Sequence, residues 1–239
     1  MMIHLFVFWL GASLGSLYHV IGYRQPQGLN WVSARSCCPH CQKVLNWYEL
    51  LPLFSYLCQR GRCRTCQAPI NSIYFWVEIL SGFLFLFPLI HGQVNVIVAW
   101  IFLSLLLIIT VSDLYYGLIL NKVLLFFLPL LWLNPHRSII GMLTGFFLLI
   151  ANFVIGKLLF KRATLGGGDI KLYGLVGLVL GGIPTVISLM LAGVLALGYA
   201  LITRQNKEQE LPFGPFIATA SYICLFYGHT LWEFFQGHY

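Results

Sequence analysis

An all-α polytopic membrane protein is the architecture the sequence predicts, and three observations predict it. Hydrophobic residues make up 59% of the 239, charged residues only 9%, and the mean hydropathy is +0.83. A soluble domain holds roughly 45–50% apolar and 25% charged residues. Apolar runs of about 20 residues, the length that crosses a hydrocarbon core of about 30 Å, recur along the chain and leave one long polar interval, 23–73. The basic residues, finally, sort to one side of these runs.

The runs predict about eight transmembrane helices, over 2–22, 74–91, 94–112, 118–133, 139–160, 172–183, 185–203 and 213–235. The first lacks a basic stretch ahead of it, and Gly22-Tyr23-Arg24 is a poor small-residue cleavage site, so it is expected to be a retained helix rather than a signal peptide. The sixth is short and shares a turn, Gly181-Gly182-Ile183-Pro184, with the seventh. Short cytoplasmic loops carry an excess of Lys and Arg. With the N-terminus outside, 13 of the 14 Lys and Arg fall on the inner side, leaving Arg137 outside. Both termini are therefore expected outside, in a multi-pass protein of the cytoplasmic membrane. A net charge of +7 is accounted for by this topology and by anionic lipid heads, so no nucleic-acid partner is expected. Three regions follow: a first transmembrane helix (1–22), a small cytoplasmic loop domain (23–73) and a membrane domain (74–239).

The loop domain holds six of the seven cysteines, in a compartment that keeps thiols reduced. Cys38-Pro39-His40-Cys41 and Cys63-Arg64-Thr65-Cys66 form two Cys-x-x-Cys pairs with 21 residues between them, close to the spacing of a four-thiolate zinc site. Cys38 rather than Cys37 is chosen because it leaves two residues between the sulfurs. Four cysteines, Cys38, Cys41, Cys63 and Cys66, would close the coordination shell, making the ion structural. Cys37, Cys58 and His40 are expected bystanders.

Asp113 and Asp169 are the only aspartates in the chain. Each lies at the edge of an apolar run, at the predicted cytoplasmic face, where an uncompensated carboxylate costs at least about 2.5–3.5 kcal/mol. Asp169 follows Gly166-Gly167-Gly168, which would allow positive φ and close backbone approach and place the acid at a helix start, where the dipole favours it. Two neighbouring carboxyl groups that share a proton can activate a water and protonate a carbonyl oxygen, the logic of aspartic peptide hydrolysis. The competing use of such a pair is a proton- or cation-coupled transporter, which would need polar groups continuing across the bilayer; a third reading is a zinc-organised assembly scaffold.

In order along the chain, Ser36-Cys37-Cys38-Pro39-His40-Cys41, Pro52 to Leu57, Arg60 to Cys66, Pro69-Ile70, Tyr74 to Glu78 and Gly166-Gly167-Gly168-Asp169-Ile170-Lys171-Leu172 resemble the prepilin peptidase family, the type IV leader peptidases, membrane aspartic proteases with a Gly-x-Gly-Asp motif. The sequence departs from that pattern at Leu120, where the family usually has Pro before the residue that opens the next helix. The resemblance implies removal of a short basic leader from prepilins and pseudopilins at the cytoplasmic face, with Asp113 and Asp169 as the catalytic pair, Gly166, Gly167, Gly168 and Lys171 supporting the catalytic loop, and Cys38, Cys41, Cys63 and Cys66 as zinc ligands. It further implies N-methylation of the new amine with S-adenosylmethionine, for which Glu78 and Gly82 are the candidate contacts. Attraction of a basic leader would fall to the few acids, such as Glu49 or the catalytic pair, or to backbone and lipid contacts.

Overall fold

The computed structural model describes residues 2–31, 35–92, 94–129, 135–160, 166–203 and 211–236. It is helical, as expected: α1 (Met2–Arg24), a 3-10 turn (Trp47–Glu49), α2 (Phe54–Cys58), α3 (Ile73–His91), α4 (Val96–Tyr116), α5 (Asn121–Phe127), α6 (Pro135–Phe160), α7 (Gly167–Leu180), α8 (Gly182–Thr203) and α9 (Gly214–Phe235). Among the described residues α1, α3, α4 and α8 are long and apolar enough to cross a membrane. The predicted span 118–133 is represented by α5, only seven residues long, and its end lies outside the described residues. So do the basic residues Lys161, Arg162, Arg204 and Lys207 and the side chain of Arg137.

The chain divides into two compact units, 1–92 and 93–239. In the first, α3 packs along α1 in antiparallel fashion, and small residues set the spacing. A Cβ on Gly11 would lie 2.6 Å from Cβ of Phe85, one on Gly15 would strike Ser81, and one on Gly82 would lie 2.6 Å from the Phe8 ring. In the second unit α6 lies against α7, α8 against α9, and α4 against α9. The α6–α7 seam is built from glycines whose backbones touch: a side chain on Gly141 would strike the Gly177 carbonyl, and one on Gly145 the Tyr173 carbonyl. Small residues let helices approach where no hydrophobic drive between them exists.

Two left-handed glycines terminate helices in the membrane unit. Gly117 (φ 61°) ends α4 and donates its N–H to the Asp113 carbonyl; Gly181 (φ 82°) ends α7 and turns the chain directly into α8. The anticipated turn between the sixth and seventh spans is thus a one-residue corner. It also shows that α7 begins at Gly167, five residues before the apolar run from Leu172 that marked it in the sequence.

Gly141→Val or Gly177→Val should force α6 from α7, at about 1–3 kcal/mol or more for overpacking, whereas Gly193→Ala, which meets nothing within 4 Å, should be silent. Thermal unfolding of the three variants in detergent checks this.

Candidate functional site

Asp113 sits in the last turn of α4, where the end of its own helix dipole is unfavourable to a carboxylate. What compensates is the start of another helix. The N–H of Gly214, first residue of α9, donates to Asp113 Oδ2 at 2.6 Å, so the acid lies at the positive end of the α9 dipole. A Cβ on Gly214 would stand 2.7 Å from that same oxygen; only glycine admits the contact. Pro215 follows at the second position of α9, with its fixed φ preset for a helix start. The neighbouring Ser112 is fully buried and donates to the Leu118 carbonyl at 2.7 Å, pinning the turn between α4 and α5.

Asp169 stands in the first turn of α7, again at the positive end of a helix. Its Oδ2 accepts the N–H of Gly166 at 3.1 Å, while its own N–H donates to the Gly166 carbonyl. The triple glycine serves only one of its two expected uses. None of the three adopts positive φ, and Gly166 is extended at φ −73°. Gly168 and Gly166 contribute close approach, the other expected use: a Cβ on Gly168 would fall 2.8 Å from Cβ of Ile119, and one on Gly166 would crowd Asp169, whereas one on Gly167 would meet nothing within 4 Å. Lys171 Nζ donates to Asn121 Oδ1 at 3.0 Å, tying the start of α7 to the start of α5 rather than touching either aspartate.

Both aspartates are buried, at 6% and 9% exposure, and they lie close enough for their charges to act on one another. The structure thus brings together the two acids the sequence singled out, and adds Gly214, which sequence reasoning missed. Its signal was present in Phe213-Gly214-Pro215, a helix start directly after a polar stretch. The buried face of α4 behind Asp113 is apolar from Phe102 to Val111 apart from Ser104, which leaves no polar path for a transported ion along that helix. An apolar groove of about 220 Å³ runs between α5, α6 and α7, lined by Leu124, Leu128, Met142, Phe146 and Leu175 with Lys171 and Asn121 at its polar side.

In the first unit the two Cys-x-x-Cys segments adopt the same turn. Cys38 N–H donates to the Lys43 carbonyl and Gln42 N–H to Cys38; twenty-five residues on, Cys63 N–H donates to Ala68 and Gln67 N–H to Cys63. Gln42 and Gln67 share a left-handed φ of 58° and 57°. The four sulfurs of Cys38, Cys41, Cys63 and Cys66 lie within 4.8 Å of one another, with Cys38–Cys66 at 3.8 Å and Cys41–Cys63 at 3.9 Å. A tetrahedral ion with metal–sulfur bonds of about 2.3 Å needs sulfurs about 3.8 Å apart, so the cluster fits a metal ion. Backbone N–H groups of Cys66 and Thr65 pull the Cys63 thiol down to about 6, and those of Cys41 and His40 lower Cys38. The Ala68 N–H acts the same way on Cys66 but is outweighed by desolvation and the neighbouring sulfurs, which push it up to about 11. Cys37 and Cys58 stand outside the cluster.

Glu49 is not available to a basic leader. It is buried, accepts the Asn46 N–H at 2.8 Å and pairs with Lys43 at 3.2 Å; the Asn46 N–H, ahead of Lys43, holds its carboxyl below the usual range. Glu78 and Gly82 are likewise engaged within this unit. Gly82 faces Phe8, and Glu78 accepts the Leu53 N–H at 2.8 Å. That bond holds Leu53 at φ 62°, a conformation costing a bulky residue of order 1–3 kcal/mol.

The first unit matches the Bacterial Peptidase A24 N-terminal domain over residues 9–91, and the second the Type IV leader peptidase family over residues 100–201. A prepilin leader peptidase/N-methyltransferase of Bacillus subtilis (strain 168) is 34% identical, with 97% of this chain and 96% of the relative covered. The chain belongs to the type IV leader peptidase family. Proteins of the same name from Aeromonas hydrophila (32% identical; 84% of this chain, 74% of the relative) and Vibrio cholerae (32%; 89% and 92%) are also similar. No solved structure matches it. The boundary between the two family matches falls at the boundary between the two compact units, so in this leader peptidase the cysteine segment shares a unit with α1 and α3.

Metal analysis of the purified chain should find one tightly held thiophilic ion, lost in Cys38→Ser and Cys63→Ser and retained in Cys37→Ser and Cys58→Ser.

Proposed function

We propose that this protein is a membrane aspartic endopeptidase that removes the short basic leader of type IV prepilins and pseudopilins, and that it also methylates the new N-terminus. The observation that carries the reading is the pair of buried aspartates, each fixed through Oδ2 by a glycine N–H at a helix start. Oδ1 of each accepts no bond from the described residues, which leaves it for water and substrate. One carboxylate takes a proton from the attacking water while its protonated partner donates to the scissile carbonyl oxygen; as the diol collapses, the first passes the water's proton to the leaving amine and the second recovers its own from the diol hydroxyl. Neither a metal nor a Ser or Cys nucleophile enters this scheme.

The topology we propose has about eight spans with both termini outside, as the basic residues argue, which sets the aspartates at the cytoplasmic face of a bacterial inner membrane. The basic leader then stays in the cytoplasm while the hydrophobic segment of the substrate lies among lipid and the apolar groove beside Lys171. The catalytic carboxylates are among the groups that attract the leader; Glu49, spent on Lys43, is not. Gly166, Gly167, Gly168 and Lys171 support the catalytic carboxylate: Gly166 and Gly168 by close approach, Gly167 as the first residue of α7, Lys171 by its bond to Asn121.

The ion we propose for Cys38, Cys41, Cys63 and Cys66 is zinc, structural because four thiolates fill its shell. S-adenosylmethionine is the proposed methyl donor, supplying an electrophilic methyl group to the freed amine. Glu78 and Gly82 do not fit as its contacts, being taken up by Leu53 and Phe8. The relatives' shared name favours this reading over the transporter and the scaffold.

Co-expression with a prepilin and mass spectrometry of the product test it. Asp113→Asn and Asp169→Asn should each abolish leader removal, and Gly214→Ala should slow it about 10²-fold by displacing Asp113; cleavage retained by either Asn variant overturns the proposal. Loss of the leader and gain of one methyl group report the two activities separately.

A further inference from the structure

Residues 50–58, in the polar interval between α1 and α3, carry an apolar surface that faces outward. Leu50, Leu51, Phe54 and Leu57 are 48%, 43%, 56% and 59% exposed, matching the outward-facing Leu80 and Phe83 of α3 at 57% and 59%. Such a patch is foreign to a water-filled loop. Its position along α1 and α3 explains it. His19 of α1 meets Tyr74 of α3, ring centroids 4.8 Å apart, near the ends from which the interval emerges. Trp9 is ten residues farther along α1, about 15 Å at the helical rise, and the Phe54 ring stacks on it at 4.9 Å and 6°. Glu78, whose carboxylate holds the Leu53 N–H, is four residues, about 6 Å, beyond Tyr74. The chain returns at Tyr56, which stacks on Phe75 at 5.1 Å.

We infer that residues 50–58 form a re-entrant segment, dipping beside α1 and α3 into the bilayer and returning on the same side, with its apolar face against lipid acyl chains. Backbone at such depth is tolerated only when its polar groups are satisfied, and the N–H groups around the turn are. Leu53 donates to Glu78, Phe54 to Pro52, Ser55 to Leu51 and Leu57 to Leu53, and Pro52 has no N–H to lose. A carboxylate inside an apolar helix, otherwise costly, thereby acquires a purpose at the tip of the dip. The flanks suit lipid heads: Lys43, Arg60, Arg62 and Arg64 surround the segment, and the only acid between them, Glu49, is buried on Lys43. Exposed apolar side chains at the depth of a spanning helix, flanked by cations, call for lipid rather than water.

The inference does not rest on the peptidase reading. To test it, the full chain is placed in nanodiscs of phosphatidylethanolamine and phosphatidylglycerol, with p-benzoylphenylalanine at position 54, 57 or 83, or at the solvent control 67. Illumination should give lipid-mass adducts at 54 and 57 as at 83, and none at 67. Adducts at 83 but not at 54 and 57, or cross-links from 54 to a second copy or to residues 94–239, overturn it. Should the substituted chains fail to fold, unsubstituted protein in lipids bearing a mid-chain diazirine gives the same reading. The peptide covering 50–58 should be labelled as α3 is, and labelling no higher than that of the peptide covering 62–70 overturns the inference.

Discussion

Two glycine N–H groups, those of Gly214 and Gly166, hold two carboxylates where a membrane protein would otherwise not keep them. An uncompensated acid at bilayer level costs at least about 2.5–3.5 kcal/mol, and a hydrogen bond to a charged group returns about 1.5–3 kcal/mol. The two are of one size, so each aspartate is tolerated because a helix start has been brought to it. That requirement organises the second unit. Helix α9 must begin at Asp113, which packs it on α4; α7 must begin just before Asp169, which the close approach of Gly168 to Ile119 and the bond from Lys171 to Asn121 secure. The glycine seam between α6 and α7 then fixes where α7 can lie.

The first unit solves a different problem with different means. Its polar interval is too poor in apolar burial to fold around a core, and it is closed instead by two copies of one turn whose sulfurs converge. Glu49 and Lys43 brace the first of these turns, while Leu53 and Glu78 attach the rest of the interval to α3. Polar groups of this unit that look like binding residues in the sequence thus serve its architecture.

The acids and the cysteines were legible because their chemistry lies in identity and spacing: two aspartates in an apolar chain, and paired Cys-x-x-Cys segments. Helix edges were less so. Apolarity marks the run from Leu172, but α7 starts at Gly167 because the N–H groups of its first turn are what Asp169 requires. Of the two uses a triple glycine offers, positive φ and close approach, Gly166 and Gly168 serve the second, a choice only tertiary contact makes. Gly214 went unseen since its partner is 101 residues away, and a glycine before proline says only that a helix begins. Glu78, read as a ligand contact, is bound to a backbone N–H 25 residues earlier, a pairing that no periodicity signals.

Everything here depends on the side chains at 113 and 169 facing each other across the starts of α7 and α9. The most direct measurement replaces both with cysteine and treats the full chain, in native membranes with its metal cluster loaded, with a short bifunctional thiol reagent. The account predicts an intramolecular bridge between the two positions, found by mass spectrometry and absent from either single variant. Each cysteine modified separately, with no bridge formed, would contradict it.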